Sequence, residues 1–206
     1  MAKDPFKALK EAPYPLFVAE RAYSFDLNQD VVDMIRGEYA ADIVAGKLAA
    51  AIKGKAKAEV AKAASALFEE LGKALMQRTI QLCEEYSDRT IEVVKEAVDR
   101  NGVQFMIFPH LPQRYVEVAT LGTQKLLKVA ITLNNVNALS YRIPQCDLYS
   151  EITERCGADV AKQMLCKSYC CTALETVRQA IDVDVVNEMV ASTDKAGYCE
   201  FLMRRI

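Results

Sequence analysis

The sequence predicts an α+β protein, with long helices in its N-terminal half and then an antiparallel sheet of about four strands with helices packed on one face. Three observations predict it. Apolar residues recur near the helical period through most of residues 29–99. After Gly102 the period changes, and the apolar runs become short. Those runs then fall into two pairs, each joined by turn-forming residues, with helical stretches between the pairs.

The elements follow in chain order. Residues 1–27 carry Pro5, Pro13 and Pro15 among five aromatics, and read as an arm packed on a surface, such as that of a partner subunit. Residues 28–206 read as a single α+β domain, helical in its first half and cysteine-rich in its second. In residues 29–53, Val31, Ile35, Tyr39, Ile43 and Leu48 form a helical stripe that Asn28 or Asp30 can cap. Gly54 and its lysines mark a break. Residues 57–99 read as one long helix or two abutting ones, with Gly72 a possible break point. Asn101-Gly102 closes this segment, since both residues tolerate the left-handed conformation of a C-cap.

Pro109 and Pro112 bound an expected loop that carries His110, the only histidine. Leu126–Leu133 and Ala138–Ile143 read as a hairpin around Asn134-Asn135-Val136-Asn137. Helices are expected at 147–155 and 158–179. Val185–Ser192 and Tyr198–Arg205 read as a second strand pair joined by Thr193-Asp194-Lys195-Ala196-Gly197.

Composition excludes several function classes. Hydrophobic residues make up 51% of 206, a globular balance and not a disordered one. The 26 basic residues are interspersed with 28 acidic ones, so neither nucleic acid nor an anionic membrane is an expected partner. Asp42 and Lys47 interrupt the longest apolar stretch, residues 40–52, which predicts no membrane span. The N-terminus has no apolar run behind its lysine, and a cytoplasmic location is expected. No phosphate-binding loop, HExxH or dinucleotide fingerprint is present.

The seven cysteines are the sharpest feature. Their number is odd and no export signal precedes them, which predicts reduced thiols. Cys83 stands alone, while Cys146, Cys156, Cys166, Cys170, Cys171 and Cys199 crowd the last third. Cys146 falls where a strand gives way to a helix. Cys166 and Cys170 are four apart on the next expected helix, so they share a face. Cys199 lies in the last strand on the side of Phe201 and Met203. Several thiolates can hold zinc or an iron–sulfur cluster, and a single activated one can act as a nucleophile. The spacing contains no CxxC pair, and free cysteine is also an ordinary small core residue. His110 is readable as a metal ligand, a general base or an exposed loop residue.

The run Leu139-Ser140-Tyr141-Arg142-Ile143-Pro144-Gln145-Cys146-Asp147-Leu148-Tyr149-Ser150-Glu151, followed by Cys170-Cys171 and by Gly197-Tyr198-Cys199-Glu200-Phe201, resembles the L-2-amino-thiazoline-4-carboxylate hydrolase-like family. The ending is also similar to that of 4-vinyl-reductase-type domains, which are small ligand-binding α+β modules. The resemblance covers about residues 80–206. It implies a site containing Cys146, Cys170 or Cys171, and Cys199. As an enzyme, the chain would hydrolyse a C–N or C–S bond in a small molecule. Cys146, Cys171 or Cys199 would be the nucleophile or hold an activating metal, and Asp147 or Glu175 would be the base. As a binding protein, it would hold an iron–sulfur cluster or zinc on Cys146, Cys170, Cys171 and Cys199, with Cys166 in reserve, or take a small ligand without catalysis. A homo-oligomer, or an accessory subunit of a larger anaerobic complex, is the corresponding expectation for the N-terminal arm. The chain has Asp147 where the family commonly has proline, and only Glu175 where it commonly has an aspartate pair.

Overall fold

The computed structural model describes residues 29–86, 89–101, 107–163 and 168–206. The predicted N-terminal arm and Cys166 lie outside them. Helix α1 (Gln29–Tyr39) and α2 (Ala41–Ile52) are separate helices, because Ala40 adopts an extended ψ of 151° between them. Helix α3 (Lys57–Glu85) is continuous, and α4 (Arg89–Asn101) follows. Glu59 caps the start of α3 by accepting the Ala56 N–H at 3.3 Å.

Gly72 does not break α3. It lets another segment approach: a Cβ there would lie 2.2 Å from the Tyr169 carbonyl oxygen. Phe68, one turn earlier, meets the Tyr169 ring edge-on at 6.0 Å.

His110 is not in a loop. It opens α5 (His110–Thr123), and Pro112 sits in the first turn, where a missing N–H costs nothing. Every residue of α5 from Leu111 onward is buried, so it is the central helix of the molecule. Its polar residues Gln113, Arg114, Glu117, Thr120 and Thr123 are buried along with the apolar ones, so no polar stripe faces solvent as it does on a surface helix. Helix α1 packs along α5, and Arg36 donates to the Leu121 carbonyl at 3.0 Å.

The sheet comprises β1 (Ala130–Asn135), β2 (Ala138–Ile143), β3 (Val185–Ala191) and β4 (Cys199–Arg205), all antiparallel, in the order β1-β2-β4-β3. Both predicted pairs are present, with β1 starting later than expected. The two chain-adjacent pairs join through β2 and β4, in the register Leu139↔Met203, Tyr141↔Phe201 and Ile143↔Cys199. These six side chains are buried and share the face turned to the helices. Tyr141 and Phe201 stack at 5.1 Å. The opposite face carries Arg142, paired with Glu200 at 2.9 Å, and Thr132, which donates to Glu200 at 3.1 Å.

Between the strand pairs lie α6 (Asp147–Cys156), α7 (Ala158–Gln163) and α8 (Cys170–Ile181). The expected single helix over 158–179 is therefore two. A short α9 (Thr193–Ala196) ends in Gly197 at φ 79° and turns the chain into β4. No helix among the described residues is long and apolar enough to cross a membrane.

Candidate functional site

The predicted site residues fall into two groups. Cys146, Asp147, Cys170 and Cys199 are arranged around the helix-facing side of the sheet. Cys171 and Glu175 belong to a different stripe of α8.

Cys146 is buried and ends the β2–α6 connection as the N-cap of α6, its Sγ accepting the Tyr149 N–H at 3.4 Å. Asp147 follows it and is tied to the end of α5. Its carboxylate accepts the Lys125 N–H at 2.5 Å, and its own N–H donates to Gln124 Oε1 at 2.7 Å. A proline at 147 would have no N–H for that second bond.

Cys170 is the first residue of α8 and lines a small cavity of about 40 Å³ with Thr120, Thr123, Gln124, Tyr141 and Tyr169. That volume suits a water or a single small ligand atom group. Tyr169 is 3% exposed, and its hydroxyl has no hydrogen-bond partner among the described residues. Burial holds this phenol well above the usual tyrosine range, and the neighbouring Cys170, Tyr39 and Cys146 push it further. Tyr169 thus lies near two of the predicted thiols. Cys199 is on the same sheet face, opposite the cavity-lining Ile143, with its Sγ 3.0 Å from the Thr193 hydroxyl.

Glu175 is bound by Arg178 at 2.6 and 2.9 Å, and by Gln179 and Asn187. Those bonds, Arg178 first, hold its carboxyl below the usual range and make it a weak base. Cys171 is half-buried. Cys83 and Cys156 serve packing: the first is in the core and the second packs against it. Among the described residues, no three His, Cys, Asp or Glu side chains gather to hold a metal ion. Cys146, Cys170, Cys171 and Cys199 do not form such a group among the described residues, and Cys166, the ligand expected in reserve, lies outside them. Burial depresses the pKa of His110, which favours a neutral imidazole at the start of α5.

Two features escaped the sequence reading. Within α5, Glu117 is 1% exposed; it accepts from Gln113 at 2.9 Å, and Gln113 in turn accepts from Asn134 of β1. Burial raises the Glu117 carboxyl to about 7, against the opposing influences of Gln113 and Arg114. The signal was a glutamine and a glutamate four apart, with Arg114 beside the glutamine. The second feature is a cleft of about 350 Å³ between α3, α4, α5 and α8, walled by Ile80, Val94, Ile107, Leu111 and Ile181. Tyr115 also reaches it, and the ion pair Glu84–Lys95, at 3.3 Å, sits at its edge. Four separated segments build this cleft, and no local pattern announces it.

The chain matches no protein-family model, and no curated protein or solved structure matches it.

Proposed function

We propose that this chain is a small-molecule-binding α+β module, in keeping with the resemblance of its ending to 4-vinyl-reductase-type domains. The cleft of about 350 Å³ carries the reading. Its volume is within the range of small-molecule sites, roughly 300–1,000 Å³, and it combines apolar walls with a few charged groups at the rim.

Ala180 lies at the rim and is exposed, so a large residue there narrows the cleft without entering the core. The native protein is expected to bind the neutral apolar dye Nile red with one-to-one stoichiometry. Ala180→Trp should weaken that binding about tenfold, a change near 1.4 kcal/mol, with an unchanged circular dichroism spectrum. Equal binding by the variant overturns the assignment of the cleft.

A second reading, a cysteine-dependent hydrolase, is favoured by one observation: Cys170 opens on a cavity shared with Tyr169, whose phenol also feels Cys146. Neither expected base is free for it, since Asp147 and Glu175 are both held in other contacts. Metal analysis and a visible spectrum after anaerobic purification, with Cys170→Ser alongside, test it. A colourless, metal-free protein whose hydrolytic activity survives Cys170→Ser eliminates both the metal and the nucleophile at Cys170.

A further inference from the structure

The cleft continues into an open groove of about 430 Å³ along α3 and α8, and the two share Ile80, Glu84 and Ala180. The groove differs in chemistry from the cleft: its walls are Lys73, Gln77, Gln81, Thr176 and Gln179. From Lys73 to Glu84 is eleven residues of one helix, about 16 Å at 1.5 Å per residue. An apolar chamber thus leads into a polar channel ending at an ammonium group.

We propose that cleft and groove form one site for an elongated amphipathic carboxylate of the acyl-chain type, its tail in the cleft and its carboxylate at the Lys73 end. This rests on the ligand-binding reading and names its ligand class. Three observations set the direction. The cleft walls are aliphatic and suit a hydrocarbon chain. The carboxylates there disfavour an anion: Glu84 and Asp99 both line the cleft, with only Lys95 between them. The last turn of α8, with the negative end of the helix dipole, also lies on this side, at Ala180 and Ile181.

At the other end the groups are donors. Lys73 is an exposed ammonium. Gln81 accepts from Arg78 on its carbonyl oxygen at 3.2 Å, so the group it can turn to a ligand is its N–H₂. Gln77 adds a further amide; the Thr176 hydroxyl, on the facing helix, donates to the Thr172 carbonyl at 2.8 Å and serves only as wall.

Isothermal titration calorimetry of the whole chain with hexanoate, decanoate and decan-1-ol tests this. Decanoate should bind more tightly than hexanoate, because the longer tail buries more apolar surface. It should also bind about fivefold more tightly than decan-1-ol, as fits one partly exposed ion pair. Lys73→Gln, on an exposed face, should remove that preference and leave decan-1-ol binding unchanged. Equal affinity for decanoate and decan-1-ol, with no effect of Lys73→Gln, overturns this inference but not the ligand-binding reading. Failure of both compounds to bind overturns the acyl-chain assignment; Nile red binding that still responds to Ala180→Trp then keeps the cleft as a site for other molecules.

Discussion

Gly72 and Tyr169 meet backbone to backbone. A Cβ on residue 72 would stand 2.2 Å from the Tyr169 carbonyl oxygen and 3.0 Å from its carbonyl carbon. Both neighbours are main-chain atoms, which cannot turn aside as a side-chain end can. The contact sets how closely α8 begins against α3, and so fixes Cys170 and the small cavity beside it.

Gly72→Ala should therefore destabilise the protein although alanine is the better helix former. Overpacking costs roughly 1–3 kcal/mol, against a helix-propensity gain of about 1 kcal/mol. Gly46 in α2 is the control, because a Cβ there meets nothing within 4 Å. Gly46→Ala should raise stability by up to about 1 kcal/mol. Urea unfolding midpoints of the two variants should move in opposite directions; a stabilised Gly72→Ala protein contradicts the backbone contact.

Glu117 makes stability depend on pH. Its carboxyl titrates near 7 in the folded protein, while in the unfolded chain it has an ordinary value near 4.5. Between these values the folded state holds a proton that the unfolded state has released. Stability from this group is therefore complete at pH 4, falls as pH rises through 5 and 6, and levels off above 7. The full change is roughly 3 kcal/mol, at about 1.4 kcal/mol per pH unit of displacement. Glu117→Gln keeps an acceptor for Gln113 and cannot ionise. The difference in unfolding free energy between variant and native protein should grow from pH 5 to pH 8 in favour of the variant; a difference that stays flat rules the mechanism out.

Much of the fold was legible because local chemistry and tertiary context agree. The alternation Cys199, Phe201, Met203 is a period-two pattern, and all three side chains are buried on one face. Asn135, in the predicted hairpin turn, accepts the N–H groups of Asn137 and Ala138 with its side chain, which is why β1 and β2 reverse there. Helix α5 was missed for the opposite reason. Pro109 and Pro112 suggested a loop, and the polar residues of the helix, Gln113, Arg114, Glu117, Thr120 and Thr123, are buried, so polarity does not mark a solvent face there. Of the site, Cys146 was readable from the strand-to-helix junction. Tyr169 was not, because its importance comes from α3, α8 and the Cys146 loop meeting in space.

Asp147 is expected to act in stability and not as a base. Its carboxylate and N–H clamp Lys125 and Gln124 at the end of α5. Asp147→Ala should cost about 1 kcal/mol, the net worth of one such bond, and Asp147→Pro more, since the N–H to Gln124 is lost as well. Thermal unfolding of both variants measures this. An Asp147→Ala protein of native stability contradicts the structural role and returns the carboxylate to the list of candidate bases.

The thiols should differ in reactivity according to burial. Cys83 and Cys199 are 0% exposed and Cys146 is 3% exposed, whereas Cys156, Cys170 and Cys171 are half-buried. Alkylation needs both access and thiolate, and access separates these two groups. Brief iodoacetamide treatment of the native protein, followed by peptide mass spectrometry, should label Cys156, Cys170 and Cys171 first. Cys83, Cys146 and Cys199 should react only as the protein opens, about a hundredfold or more slowly for a fold stable by a few kcal/mol. Adding urea to the transition midpoint should abolish that separation. Rapid labelling of Cys146 in the native protein would instead place it on an accessible path, and would strengthen the thiol-chemistry reading over that of a ligand-binding module.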